Sequence, residues 1–173
     1  MSTPSAMRGR EPQAYRNYVW QSMLDGEMND RYWRFQAARY SKREKAVKIF
    51  LAITSSGTVA GWALWRGAPL VWQVLSAVSA LLALALPVLD FTGQVERASD
   101  LRERWWGLTA EYSRLWAEIE LDSADSISQR IQALKSKETD MVKIEAKYFS
   151  RDEALIHKCQ DQVLNARGLS QGK

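Results

Sequence analysis

The chain is short of the side chains that most often carry chemistry. Among 173 residues it has one cysteine, Cys159, and one histidine, His157. A lone cysteine excludes an intramolecular disulfide and gives no sign of oxidising export. His157 and Cys159 stand two apart, about 200° around a helix, so a single metal could not easily take both. Neither has a further His or Cys to complete a site. Cys159 is expected to pack as a small apolar residue and His157 to face solvent. No Gly-rich phosphate loop, no Ser-His-Asp set and no ligand-spaced acidic cluster is present. The chain is therefore read as non-enzymatic, with no catalytic, cofactor-binding or metal-ligating residues and no cofactor. Strand alternation is missing too, which makes the expected fold all-α. The first apolar run begins only at about residue 46, so no cleavable signal peptide is expected.

Charge is missing from the middle. From Ile49 to Leu89 the only formal charge is Arg66. The net charge of +4 is distributed unevenly around that gap. Residues 1–66 hold eleven basic and five acidic residues, whereas residues 90–173 hold thirteen and fifteen. A nucleic-acid binder usually carries its excess on a folded recognition surface; here it gathers just before the apolar block, as in a membrane-flanking segment.

A bilayer core of roughly 30 Å needs about 20 helical residues. Residues 46–65 and 68–89 each supply that length. Lys48 falls near the start of the first, where its stem can run along lipid and lift the amine to the headgroups. Arg66 and Gly67 form the connection, and Pro69 falls in the first turn of the second helix, where a missing N–H costs little. The expectation is a two-span transmembrane helical hairpin. Seven basic residues between Arg31 and Lys48 face one acid, Glu44, so the positive-inside rule puts both termini in the cytoplasm. Arg39, Lys42, Arg43, Lys45 and Lys48 are the expected membrane-anchoring cations, and Trp62, Trp65 and Trp72 suit an interfacial belt at the tip. The bland rival is a soluble bundle with two fully buried central helices, which are normally shorter and keep a polar stripe.

Outside the apolar block, residues 1–12 and 169–173 are polar and are expected to be disordered. Residues 13–45 are expected to form cytoplasmic basic and aromatic helices, interrupted at Asp25-Gly26 and restarted with Asp30 as N-cap. The run Tyr32, Trp33, Arg34, Phe35, Arg39 and Tyr40 could stack on single-stranded nucleic acid; anchorage to anionic lipid is the preferred reading, and nucleic acid is disfavoured as a partner. Residues 90–168 read as a cytoplasmic helical tail. In it Leu101, Trp105, Leu108, Tyr112, Leu115 and Ile119 are spaced 4, 3, 4, 3, 4, a heptad seam. The seam wants a partner, either the N-terminal helix of the same chain or a neighbouring subunit. "LDSADS" (Leu121 to Ser126) breaks the pattern, and Ser150-Arg-Asp-Glu153 reads as a capping box for a last helix.

Within the first span, Gly57 and Gly61 form a GxxxG pattern that permits close helix approach. Ser56 and Ala60 extend it, and Ala80 does likewise on the second span. These are expected helix-packing positions. Thr54, Thr58, Gln73 and Ser76 could line a polar path in a multi-subunit bundle; tight packing of the hairpin on itself accounts for the same residues. A homo-oligomer is expected from this pattern together with the seam.

The layout "ARYSKREKAVKIFLAITSSGTVAGWALW" followed by "VERASDLRERWWGLTAEYSRLWAEIE" resembles the SLATT superfamily, two-transmembrane effectors of bacterial conflict and nucleotide-signalling systems. The resemblance covers about residues 30–120 and rests on architecture and a loose pattern. It implies an inner-membrane effector that opens pores or disrupts the membrane when a partner sensor detects infection. No nucleotide-binding domain is fused here, so the trigger implied is a separate sensor protein or a nucleotide signal. The rival reading is a non-conducting membrane scaffold whose cytoplasmic helices recruit a soluble partner.

Overall fold

The computed structural model describes residues 10–64 and 69–169; the side chains of 10–12, 55–64, 69, 72 and 87 fall outside that description. Among the described residues the fold is all-α, with five helices and no strand. They are α1 (Arg10–Leu64), α2 (Pro69–Leu89), α3 (Phe91–Glu118), α4 (Ala124–Tyr148) and α5 (Glu153–Ala166). Two compact units divide the chain: Met1–Arg34 with Ser99–Lys173, and Phe35–Ala98.

The first unit is an antiparallel helical bundle built around α3. Trp20 meets Trp116 at 5.5 Å, Gly26 meets Thr109, and Asp30 pairs with Arg102 at 3.4 Å. Rising numbers on α1 thus match falling numbers on α3. The other side of α3 pairs with α4 in the same sense, Glu118 with Arg130 at 2.7 Å and Glu111 with Lys137 at 2.7 Å. α5 runs back along α1, with Tyr32 near Asp152 and Glu27 on Arg167. All six heptad positions, Leu101, Trp105, Leu108, Tyr112, Leu115 and Ile119, are buried inside this unit. Buried in the same unit are Val19, Met23, Tyr32 and Trp33 of α1, Ile127, Leu134 and Met141 of α4, and Cys159 and Val163 of α5. A 4,3 spacing keeps one face of α3 turned inward over its length, and the chain's own helices fill it. The seam is closed within the chain, so it is not a surface on which a second subunit docks.

Three local expectations are corrected. Asp25-Gly26 does not end a helix: α1 runs through it, and Gly26 sits where a Cβ would overlap the Thr109 hydroxyl. A helical glycine costs about 1 kcal/mol, and here the close approach of α3 offsets it. Asp30 is accordingly mid-helix and pairs with Arg102 instead of capping. The N-cap of α5 is Asp152, which accepts from the Leu155 N–H at 3.2 Å, and not Ser150. That shift leaves Arg151 outside the helix, free to turn inward.

Arg151 turns toward Glu145, a carboxylate only 3% exposed. Glu145 Oε1 accepts from Trp33 Nε1 at 2.9 Å and Trp105 Nε1 at 2.7 Å, and Oε2 accepts from Arg151 Nη2 at 2.6 Å. Four parts of the fold meet at one carboxylate: α1, α3, α4 and the α4–α5 link. Burying a charge is tolerable only with such full pairing.

Candidate membrane interface

The Phe35–Ala98 unit holds the charge-free segment, and α2 is its core. At about 100° per residue, Leu70, Val71, Val74, Val78, Leu81, Leu84, Val88 and Leu89 fall in an arc of about 140°. All eight are exposed, with Leu84 at 76% and Val88 at 85%. A second exposed stripe carries Gln73, Ser76, Ala80 and Ala83, and among the described residues Leu75, Ser79, Leu82, Ala85 and Leu86 turn partly inward. On α1 the side chains of Ile49 and Ile53 are exposed as well. So large a contiguous apolar surface marks a site that meets another apolar phase or a partner.

Counting only residues whose side chains are described, no single helix is long and apolar enough to cross a membrane. Gln73–Leu86 together with Phe91–Glu118 has the length and composition of a bent span, with a 47° bend at the break. One residue, Asp90, at φ +40, separates α2 from α3. Asp90 stops α2 in the left-handed region, which aspartate tolerates better than most residues. It also starts α3: Oδ1 accepts the Gly93 N–H at 3.1 Å, and Oδ2 accepts from Arg97 Nη2 at 2.5 Å. Gln94 Nε2 donates to the Leu89 carbonyl at 2.9 Å and so satisfies an end of α2. A Cβ on Gly93 would overlap the Asp90 carboxylate, which explains the glycine.

Polar contacts mark where the apolar segment begins and ends. Glu44 accepts from Lys48 Nζ at 2.6 Å and from Thr92 Oγ1 at 2.7 Å, tying the start of the apolar part of α1 to the first turn of α3. Hydrogen bonds from Lys48 and Thr92 hold the Glu44 carboxyl below its usual range. The Arg97 guanidinium and the Gly93 N–H do the same for Asp90. Both acids stay ionised and occupied near neutral pH. Arg39, Lys42, Arg43, Lys45 and Lys48 are all exposed along α1.

The other expected positions fall as follows. Thr54 is buried, and its hydroxyl donates back to Phe50 O at 3.0 Å, so it is satisfied within its own helix. Gln73, Ser76 and Ala80 are exposed on one stripe of α2. Ser56, Gly57, Thr58, Ala60 and Gly61 lie on the α1 backbone, but their packing is outside the described residues, as are residues 65–68. Cys159 is fully buried, burial pushes its thiol pKa up, and His157 is exposed. Tyr32 and Trp33, central to a stacking surface for nucleic acid, are 2% and 1% exposed and cannot offer their faces to bases.

Sequence reasoning missed Glu145, Arg151 and the double role of Asp90. The only signal for the last was Asp three residues before Gly93 and seven before Arg97. Trp106 is 65% exposed beside a shallow groove of about 390 Å³ lined also by Glu27, Asp30, Arg31, Arg34 and Thr109. Compared with protein-family models, curated proteins and solved structures, the chain matches none of them.

Proposed function

We propose that residues 46–65 and 68–89 form a two-span membrane hairpin and that the chain is an oligomeric inner-membrane effector of a bacterial anti-phage system. The observation that carries the membrane part is the exposed apolar arc of α2, uninterrupted by charge. The α2 backbone is 21 residues long, about 32 Å at the helical rise and close to the roughly 30 Å of a hydrocarbon core. The Glu44–Thr92 tie supports a hairpin whose two ends share one side of the bilayer.

The effector part rests on the resemblance to the SLATT superfamily. A partner sensor or nucleotide signal shifts the helices, and subunits associated through the hairpin open a pore or disrupt the membrane. With the heptad seam filled by the chain itself, association falls to the hairpin, where Gln73, Ser76 and Ala80 lie on an exposed stripe of polar and small side chains. The test is membrane potential and dye exclusion in cells carrying the activated system. Depolarisation on activation is expected; intact potential and dye exclusion would sink the pore.

The second reading is a non-conducting scaffold. The exposed Trp106 and its groove favour it, because an unpaired tryptophan on a helical bundle suits a soluble partner. It predicts that Trp106→Ala abolishes partner recruitment while no conductance is measurable in either form.

A further inference from the structure

The five exposed cations on α1 are not equivalent. Lys48 is committed to Glu44, and Arg39 is engaged by its own chain. Lys42, Arg43 and Lys45 make no ion pair among the described residues; Lys45 acts on Glu44 only through space. The two acids at this level are themselves occupied, Glu44 by Lys48 and Thr92, and Asp90 by Arg97 and the Gly93 N–H. The three cations therefore project an uncompensated positive field.

Their position along the helix is the second observation. Lys42, Lys45, Ile49 and Ile53 follow one exposed face of α1, at steps of three, four and four residues. The face changes from cationic to apolar over four residues, about 6 Å of helix, comparable with the roughly 5–8 Å of headgroup region on each side of a bilayer. A soluble protein partner would have to match a cationic band and an apolar band at that spacing. A lipid with a negative headgroup matches both with one molecule.

We propose that Lys42 and Lys45, with Arg43 about 100° round the helix beside a neighbouring headgroup, form a site that selects anionic over zwitterionic lipid, the phosphate meeting the lysines and the acyl chains lying along Ile49 and Ile53. The site rests on the membrane reading above. It separates recognition of lipid charge from insertion, which the apolar stretches of the two spans drive.

The experiment uses the full chain reconstituted in vesicles of phosphatidylcholine with a minority of phosphatidylglycerol. Retained lipids are counted by native mass spectrometry, and insertion is followed by resistance to alkaline carbonate. The wild type should retain phosphatidylglycerol well above its share of the vesicle. The triple variant Lys42→Gln, Arg43→Gln, Lys45→Gln should lose that preference by roughly a hundredfold, as expected for three cations at an anionic surface, while remaining carbonate-resistant. The charge-keeping triple Lys42→Arg, Arg43→Lys, Lys45→Arg should retain it. An unchanged preference in the Gln variant, or none in an inserted wild type, overturns this site and leaves the hairpin standing. Extraction of the wild type by carbonate overturns both. Displacement of the lipid by inorganic phosphate at equal ionic strength would show a free-anion site instead and also overturn the proposal.

Discussion

The two units treat the same kind of side chain in opposite ways. In Met1–Arg34 with Ser99–Lys173 most large apolar residues turn inward, down to Trp33 and Trp105 at 1% and 2% exposure, with Trp106 and Leu121 the main exceptions. In Phe35–Ala98 no described large apolar side chain is fully buried, and the half-buried stripe of α2 is narrower than its exposed arc. Both segments are helical and comparably long, so helix propensity does not separate them. Charge does: α3 alternates its heptad seam with Arg, Glu and Asp, giving it a face for water and a face for a core. α2 has no such division: its exposed arc and its half-buried stripe are both apolar, the pattern expected of a helix that meets an apolar phase.

The strongest way to break the contrast is at the buried carboxylate. Glu145→Ala strands two indole N–H groups and the Arg151 guanidinium, and should destabilise the bundle by about 3–5 kcal/mol. Thermal unfolding would read this, with Glu145→Gln losing clearly less because it keeps an acceptor. Second, a charge on the exposed arc of α2, Leu81→Lys, should cost about 2.5–3.5 kcal/mol of membrane insertion. Bundle stability should not move; a lowered melting temperature in place of lost carbonate resistance would show that Leu81 faces a protein core.

Third, Gly26→Ala drives a methyl into the Thr109 hydroxyl and should cost about 1 kcal/mol net, since overpacking of 1–3 kcal/mol is partly offset by better helix propensity. Thr109→Ala in the same chain should restore most of it, and additive losses in that cycle would refute the contact. The smallest effect is electrostatic. Burial, together with the nearby Asp25 carboxylate, pushes the Glu138 carboxyl above its ordinary value of 4.5. The folded bundle then binds this proton more readily than the unfolded chain, so its contribution to stability rises as pH falls toward the ordinary carboxylate range. Glu138→Gln should stabilise the bundle at neutral pH by less than about 1 kcal/mol, and flatten that slope. Glu44 and Asp90 have the opposite sign. Their lowered pKa values give stability that is present above the ordinary value and lost as pH falls through the folded one.

What could be read in advance follows from how local each signal is. The α3 seam was legible because six positions repeat one period, and periodicity survives whatever partner fills it. Which partner fills it was not, because the match of Trp20 to Trp116 and Gly26 to Thr109 is set across about a hundred residues of chain. Gly26 was misread for the same reason: beside Asp25 it carries a local stop signal, and tertiary contact overrides it. Glu145 was invisible, since among Lys143, Ile144 and Lys147 a glutamate looks solvated, and only the displaced cap at Asp152 brings Arg151 to it. The charge gap was plain from the run of residues without charge, but which faces of α2 are exposed needed its side chains.

The aromatic contacts at one end of the bundle have a practical meaning. Arg16 lies over Trp116 at 4.9 Å, Trp116 meets Trp20, and Arg167 lies over Trp20 at 5.6 Å. The opening turns of α1 and the closing turn of α5 are therefore neighbours in space, though some 150 residues separate them in the chain. Halves of a split reporter attached before α1 and after α5 should reassemble without a long linker. A single ligand gripping that corner would hold the beginning and the end of the bundle together, as a clasp closes a bracelet.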